Sequence, residues 1–267
     1  MARRAATAPL DGLVTLDGEG HLTLRGREAL VARRADGIRR TADLLARHQP
    51  VIAALAALPF VRTLALSGGT AHRNARGGDD IDLFVVTAKG RIYTTYTLLF
   101  LASRLTHTRG VVCPNYLVDE NNLEIAYHHD LFTAHQAISL VPIAGLETFD
   151  RFVAANREWV RCFYPNYEPR APAGTIGPAG VQRLAERAFE LGGQAVERAL
   201  ATAWRFHLGR RAARARGSDV VVSGGILKLH LSDHRRRVLA RFEARLDELR
   251  GRWGAAHLPE TTKSISA

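Results

Sequence analysis

The chain has 267 residues, 46% hydrophobic and 24% charged, with two cysteines and a net charge of +11. That length holds one large domain or two modest ones with a full core, and the sparse cysteines, Cys113 and Cys162, exclude a disulfide scaffold or a cysteine-based zinc module. No apolar run reaches membrane-span length, and the N-terminal MARRAATAPLDG lacks the apolar stretch of a secretory signal, so a cytoplasmic protein without a membrane partner is expected.

Residues 1–12 read as disordered. Leu13 to Leu24 alternates on both sides of Asp17-Gly18-Glu19-Gly20, which predicts a hairpin. A helical pattern then runs from Gly26 to about His48, with Pro50 as punctuation and a short apolar helix at Val51–Leu58. Its RGREALVARRADGIRR is the densest basic run of the first half. It is either a phosphate-contacting surface or a solvated face, and composition alone favours the second.

A strand is predicted at about Val61–Leu66, ending in Ser67-Gly68-Gly69-Thr70. Two successive glycines free the backbone for conformations closed to other residues and let a ligand come close. N–H groups at such a turn form an anion-binding concavity, and Ser67 and Thr70 add hydroxyls. Ten residues later a second strand opens with Asp80-Ile81-Asp82 and continues as Leu83-Phe84-Val85-Val86. Side chains alternate along a strand, so Asp80 and Asp82 share a face about 6.8 Å apart at Cα. Paired carboxylates there repel unless cations sit between them. A polyphosphate cradle followed by a divalent-metal site is the part list for phosphoryl or nucleotidyl transfer.

These residues carry a family likeness. Gly-Gly-Thr at a strand end, a nine-residue spacer and Asp-Ile-Asp-Leu on the next strand resemble the polymerase-beta-like nucleotidyltransferase superfamily. The match covers about a tenth of the chain. LTLRGREALVARR, CPNY at 113–116, and NREWV with YPN at 156–166 extend a looser likeness to bacterial nucleotidyltransferase-domain proteins of unassigned substrate. The resemblance implies an α/β (α+β) core with a small mixed sheet. It also implies two magnesium ions on Asp80 and Asp82, and a nucleoside triphosphate, expected to be ATP, held by Ser67, Gly68, Gly69 and Thr70. Arg73 would neutralise phosphate, with a solvated arginine as the competing reading. The family places a third carboxylate on a later strand. Glu124 is the best candidate for it; the alternative position, Asn115, cannot act as a base.

Farther along, Arg91 to Leu105 reads as a mostly buried helix, and Val111–Val118 and Leu123–Tyr127 as two strands around Asp119-Glu120-Asn121-Asn122. His128, His129 and His135 cluster behind them; imidazole is the wrong ligand for magnesium, and these histidines read as structural. Helices are expected at Asp130–Leu140, capped by Asp130, and at Glu147–Tyr164. Tyr167–Gly180, with a weak phosphate signal in GTIG, reads as a linker. Val181 to Arg216 reads as a long helix interrupted at Gly192-Gly193, Val220–Val222 as an extended piece and Asp233–Trp253 as a last amphipathic helix.

The expected organisation is an accessory hairpin and helix (1–49), a nucleotidyltransferase core (50–143) and a mostly helical C-terminal domain (144–267). Basic excess is concentrated late: residues 1–143 hold 16 Lys and Arg against 13 Asp and Glu, and residues 144–267 hold 21 against 13. The expected activity transfers a nucleoside monophosphate to an acceptor hydroxyl with release of pyrophosphate. The acceptor is unassigned among small molecules, proteins and RNA, and the lack of standard RNA-binding signatures counts mildly against a dedicated nucleic-acid enzyme. The rival expectation is a non-catalytic protein that binds nucleotide or nucleic acid on a degenerate core.

Overall fold

A computed structural model describes residues 13–169, 172, 180–190, 192–214, 219–230 and 234–253. The expected disorder of residues 1–12, the GTIG segment and the tail from Pro259 lie outside the described residues.

The N-terminal hairpin forms as β1 (Val14–Leu16) and β2 (Leu22–Leu24), paired Val14 to Leu24. The two helices expected on either side of Pro50 are one helix, α1 (Ala29–Ala56). An internal proline costs about 3 kcal/mol. Pro50 sits on the solvent side, and the next turn buries Ile52, Leu55 and Ala56. Fully burying one such aliphatic side chain contributes about 1.5–3 kcal/mol, so two of them offset the break.

Then come β3 (Val61–Leu66), the one-turn α2 (Gly68–Ala71), β4 (Ile81–Thr87), α3 (Ile92–Leu105) and β5 (Val112–Asp119). α4 (Leu131–Ser139) is capped by Asp130, whose carboxylate accepts from the Thr133 N–H at 2.8 Å. A short strand that periodicity did not reveal, β6 (Val141–Ala144), leads into α5 (Leu146–Phe163). It is an edge strand, where Pro142 needs no ladder donor. α6 (Gly180–Glu190) and α7 (Gly193–Arg214) break at Gly192 as expected. β7 (Asp219–Val222), a second unforeseen strand β8 (Ile226–His230) and α8 (His234–Trp253) complete the chain.

The six-stranded sheet has the order β6-β3-β4-β5-β8-β7; only β4 and β5 run parallel, joined through α3. With eight helices among the described residues and the separate two-stranded hairpin, the architecture is mixed α/β. Alternation divides the core between two faces. Leu64, Leu66, Ile81, Leu83, Val85 and Leu117 pack with α1, α3 and α7 on one side. Ala65, Phe84, Val86 and Val118 pack with α4 and α5 on the other. The sheet crosses the expected division at 143/144: that boundary falls within β6, and β8 of the C-terminal part pairs with β5.

The strand expected at Leu123–Tyr127 does not form. Asn156 on α5 takes the place of a neighbouring strand. Its Oδ1 accepts from the Ile125 N–H at 2.9 Å and its Nδ2 donates to the Leu123 carbonyl at 2.8 Å. The alternating apolar pattern thus packs Ile125 into the core without a ladder. No described helix is long and apolar enough to cross a membrane.

Candidate functional site

The period of β4 positions the acids. Ile81, Leu83 and Val85 fill one face, so Asp80, Asp82 and Phe84 turn to the other. There a cavity of about 530 Å³ opens between the sheet, α4, α5 and α8. Ser67, Gly68, Asp80 and Asp82 all line it, and the Ser67 N–H donates to the Asp82 carbonyl at 2.9 Å. The paired acids and the glycine turn therefore meet on one wall. Gly68 has φ +58°, and a Cβ there would lie 2.2 Å from Asp82 Oδ2. Only glycine satisfies both the left-handed backbone and that approach. Among the described residues, no acceptor takes the N–H groups of Gly68, Gly69 or Thr70, leaving three donors at the start of α2.

β5 supplies the third partner through a bulge. Leu83 pairs with Pro114 and Phe84 with Tyr116, so Asn115 is the extra residue. A bulge re-aims a side chain, and here Asn115 Nδ2 donates to Asp82 Oδ1 at 2.6 Å. Asn115 is only 8% exposed, and its Oδ1 has no hydrogen-bond partner. A buried acceptor without a partner costs about 1–3 kcal/mol, and the residue that carries it, Asn115, lines the same cavity as the acids. Among the described residues, the group arranged to hold a metal is Asp80, Asp82 and Cys113, with ligand atoms within 4.8 Å of one another. Burial, with Asp80 and Asp82 nearby, pushes the Cys113 thiol up to about 11. Sulfur is a soft ligand, whereas the two carboxylates and the Asn115 carbonyl make an oxygen set suited to a hard divalent cation.

Asp82 is the most perturbed of these groups. Burial, then the charge of Asp80, then that of Asp79 raise its carboxyl to about 7, against the hydrogen bond from Asn115. A cation between the acids would remove this cost.

The other expected site residues are placed differently. Glu124 is exposed in the irregular segment between β5 and α4, and among the described residues the carboxylates lining the cavity are those of Asp80 and Asp82. The Thr70 hydroxyl is buried and donates to the Ser67 carbonyl at 3.1 Å, so Thr70 can offer a ligand its N–H alone. Gly69 stands beside Asp79 and does not line the cavity. Arg73 points to a separate hollow beyond α2. His129 stacks on Trp159 and His135 on His72, whereas His128, at φ +55°, lines the cavity. Sequence reasoning did not foresee Lys228, brought to the cavity by β8, or the aromatic wall of Phe84, Tyr116, Tyr127 and Phe132. One signal for the Asn115 geometry was present: a proline inside a predicted strand, as in CPNY, marks a bulge. The chain matches no protein-family model, no curated protein and no solved structure in the comparisons made.

Proposed function

We propose that the protein is a nucleotidyltransferase of the polymerase-beta-like kind, taking a nucleoside triphosphate and an acceptor hydroxyl. The observation that carries this reading is the meeting of Asp80, Asp82 and Gly68 on one cavity wall beside the orphaned Asn115 carbonyl. Asp80, Asp82 and Asn115 Oδ1 would hold magnesium or manganese. Such a cation, when bound, polarises the phosphoryl oxygens and orients the triphosphate. The Gly68 N–H, on the cavity wall, would donate to an outer phosphate. The aromatic wall is suited to a nucleobase, since ligand cavities are mostly apolar with few polar anchors. The acceptor oxygen attacks the α-phosphorus as the bond to the bridging oxygen breaks, and pyrophosphate leaves. Among the described residues no third carboxylate lines the cavity, and an imidazole there, that of His128, would take the hydroxyl proton.

The amide at position 115, the alternative place for the third carboxylate that the resemblance implies, favours a second reading: a nucleotide binder without turnover. Incubation with each labelled triphosphate, magnesium or manganese, and fractionated cell extract separates the two. The enzyme releases pyrophosphate and labels one fraction; Asp80→Asn and Asp82→Asn each reduce this by at least 100-fold with the fold intact. Nucleotide binding without pyrophosphate release from any of the four triphosphates leaves the binder.

A further inference from the structure

Beyond α2, away from the acids, lies an open hollow of about 810 Å³. Arg33 and Arg34 of α1 form one side; His72, Arg73, Asn74 and Arg76 of the loop between α2 and β4 form the other. The hollow is built, not fortuitous. Arg34 Nη1 donates to the carbonyls of His72 at 2.6 Å and Arg73 at 2.8 Å, and the Ala75 N–H donates to the buried Thr41 hydroxyl at 3.1 Å. Asn74 lies so close to α1 that a Cβ on Gly37 would come within 2.9 Å of its Oδ1. The loop is thereby clamped to α1 with its arginines displayed outward.

Those charges are not neutralised from within. Among the described residues no carboxylate pairs with Arg33, Arg73 or Arg76, and Asp36, on the same helix, is taken by Arg39. The same short loop runs on to Asp79, whose carboxylate accepts from the Arg76 N–H at 2.7 Å, and then to Asp80. α2, which borders the cavity at Gly68 and the hollow at Ala71, spans about 6 Å at 1.5 Å per residue. This one-turn helix thus lies between the hollow and the cavity wall that carries the acids. The hollow is too open to enclose a small anion, and it suits a chain that continues past it.

We propose that this hollow binds the phosphodiester backbone of a single-stranded nucleic acid. Resting on the transferase reading, this strand is the acceptor, its terminal hydroxyl delivered to the cavity. The clustered guanidinium groups supply sequence-independent, salt-dependent affinity.

The test is fluorescence anisotropy with a labelled 12-nucleotide RNA, in EDTA, from 50 to 200 mM salt. The triple variant R33Q/R73Q/R76Q leaves Arg34 to hold the loop. Its affinity for RNA is expected to fall at least tenfold, with the log–log salt slope shallower by about 0.7 per lost contact. Thermal unfolding of the triple variant at the wild-type temperature checks the fold. RNA that fails to bind, or that binds the triple variant with unchanged affinity and slope, overturns the proposal. So does tripolyphosphate or an anionic vesicle bound as tightly with the same arginine dependence. Arginine-dependent RNA binding without nucleotidyl transfer would defeat the catalytic reading alone and leave the binding site standing.

Discussion

Asp82 combines conflicting demands. Its backbone continues a buried strand, its side chain lies against Gly68, and Asp80 shares its face. Folding without a cation therefore holds its carboxyl at about 7, well above the ordinary 3.8. A group whose folded-state pKa is raised binds more protons folded than unfolded between those values. Its penalty is absent below about pH 4, grows as pH rises and is complete above about pH 7. In EDTA, the melting temperature of the wild type should fall relative to that of Asp82→Asn across this window, with Asp82→Asn the more stable at pH 8. Manganese or magnesium should raise the wild-type melting temperature at pH 8, have little effect at pH 4.5, and have no effect on Asp82→Asn at either pH. Parallel melting profiles for the two proteins, with and without metal, would show that no cation is held there. Asp82 was visible in the sequence as half of a pair. Its depth was not, because burial depends on helices far along the chain.

Elements in this fold are terminated and braced by side chains from distant segments. α3 begins at Arg91 with no side-chain cap from its own N-cap residue. Glu197 of α7 serves instead: its carboxylate accepts from the N–H groups of Tyr93 and Thr94, both at 2.8 Å, and from the Thr94 hydroxyl at 2.6 Å. An anion at a helix N-terminus also meets the favourable end of the helix dipole. Charged hydrogen bonds contribute about 1.5–3 kcal/mol each, and truncation strands buried donors. Glu197→Ala should therefore lower the unfolding free energy by about 2 kcal/mol or more in urea denaturation, and a change under 0.5 kcal/mol would mean water replaces the cap. Arg91 itself stacks over the Phe60 ring at 5.1 Å. The missing strand at Leu123–Tyr127 has the same kind of cause. Its alternation was legible, but Asn156 satisfies the backbone first.

At the scale of the whole molecule, the chain is bound together across its expected division. Leu227 of β8 is fully buried beside β5, and Leu208 of α7 lies in the same cluster. Gln182 donates to the carbonyls of Leu58 and Val61, and Glu186 pairs with Arg62 at 2.7 Å. A chain ending at Asn166 loses β7, β8 and one helical layer from the first face of the sheet, and exposes β5 as a raw edge. Such a fragment should fail to fold independently, giving no cooperative thermal transition by circular dichroism. A cooperative transition would make residues 13–166 a domain in their own right. α8 matters to the cavity as well. Arg235 pairs with the buried Asp130, tying α8 to the cap of α4 over the site.

By itself, the sequence determined the local chemistry: which residues form the glycine turn, which acids share a face, where most helices start and stop, and where the arginines are dense. Those properties follow from backbone permissiveness and from periods of 2 and 3.6 residues, which act over a few positions. The tertiary structure alone decided which groups meet. It set Asp82 against Gly68, turned Asn115 inward through a bulge, carried Arg73 to the far side of α2 and left Glu124 in solvent. Strand pairing, register and the packing of remote helices fix such distances, and those depend on contacts between residues tens to more than a hundred positions apart.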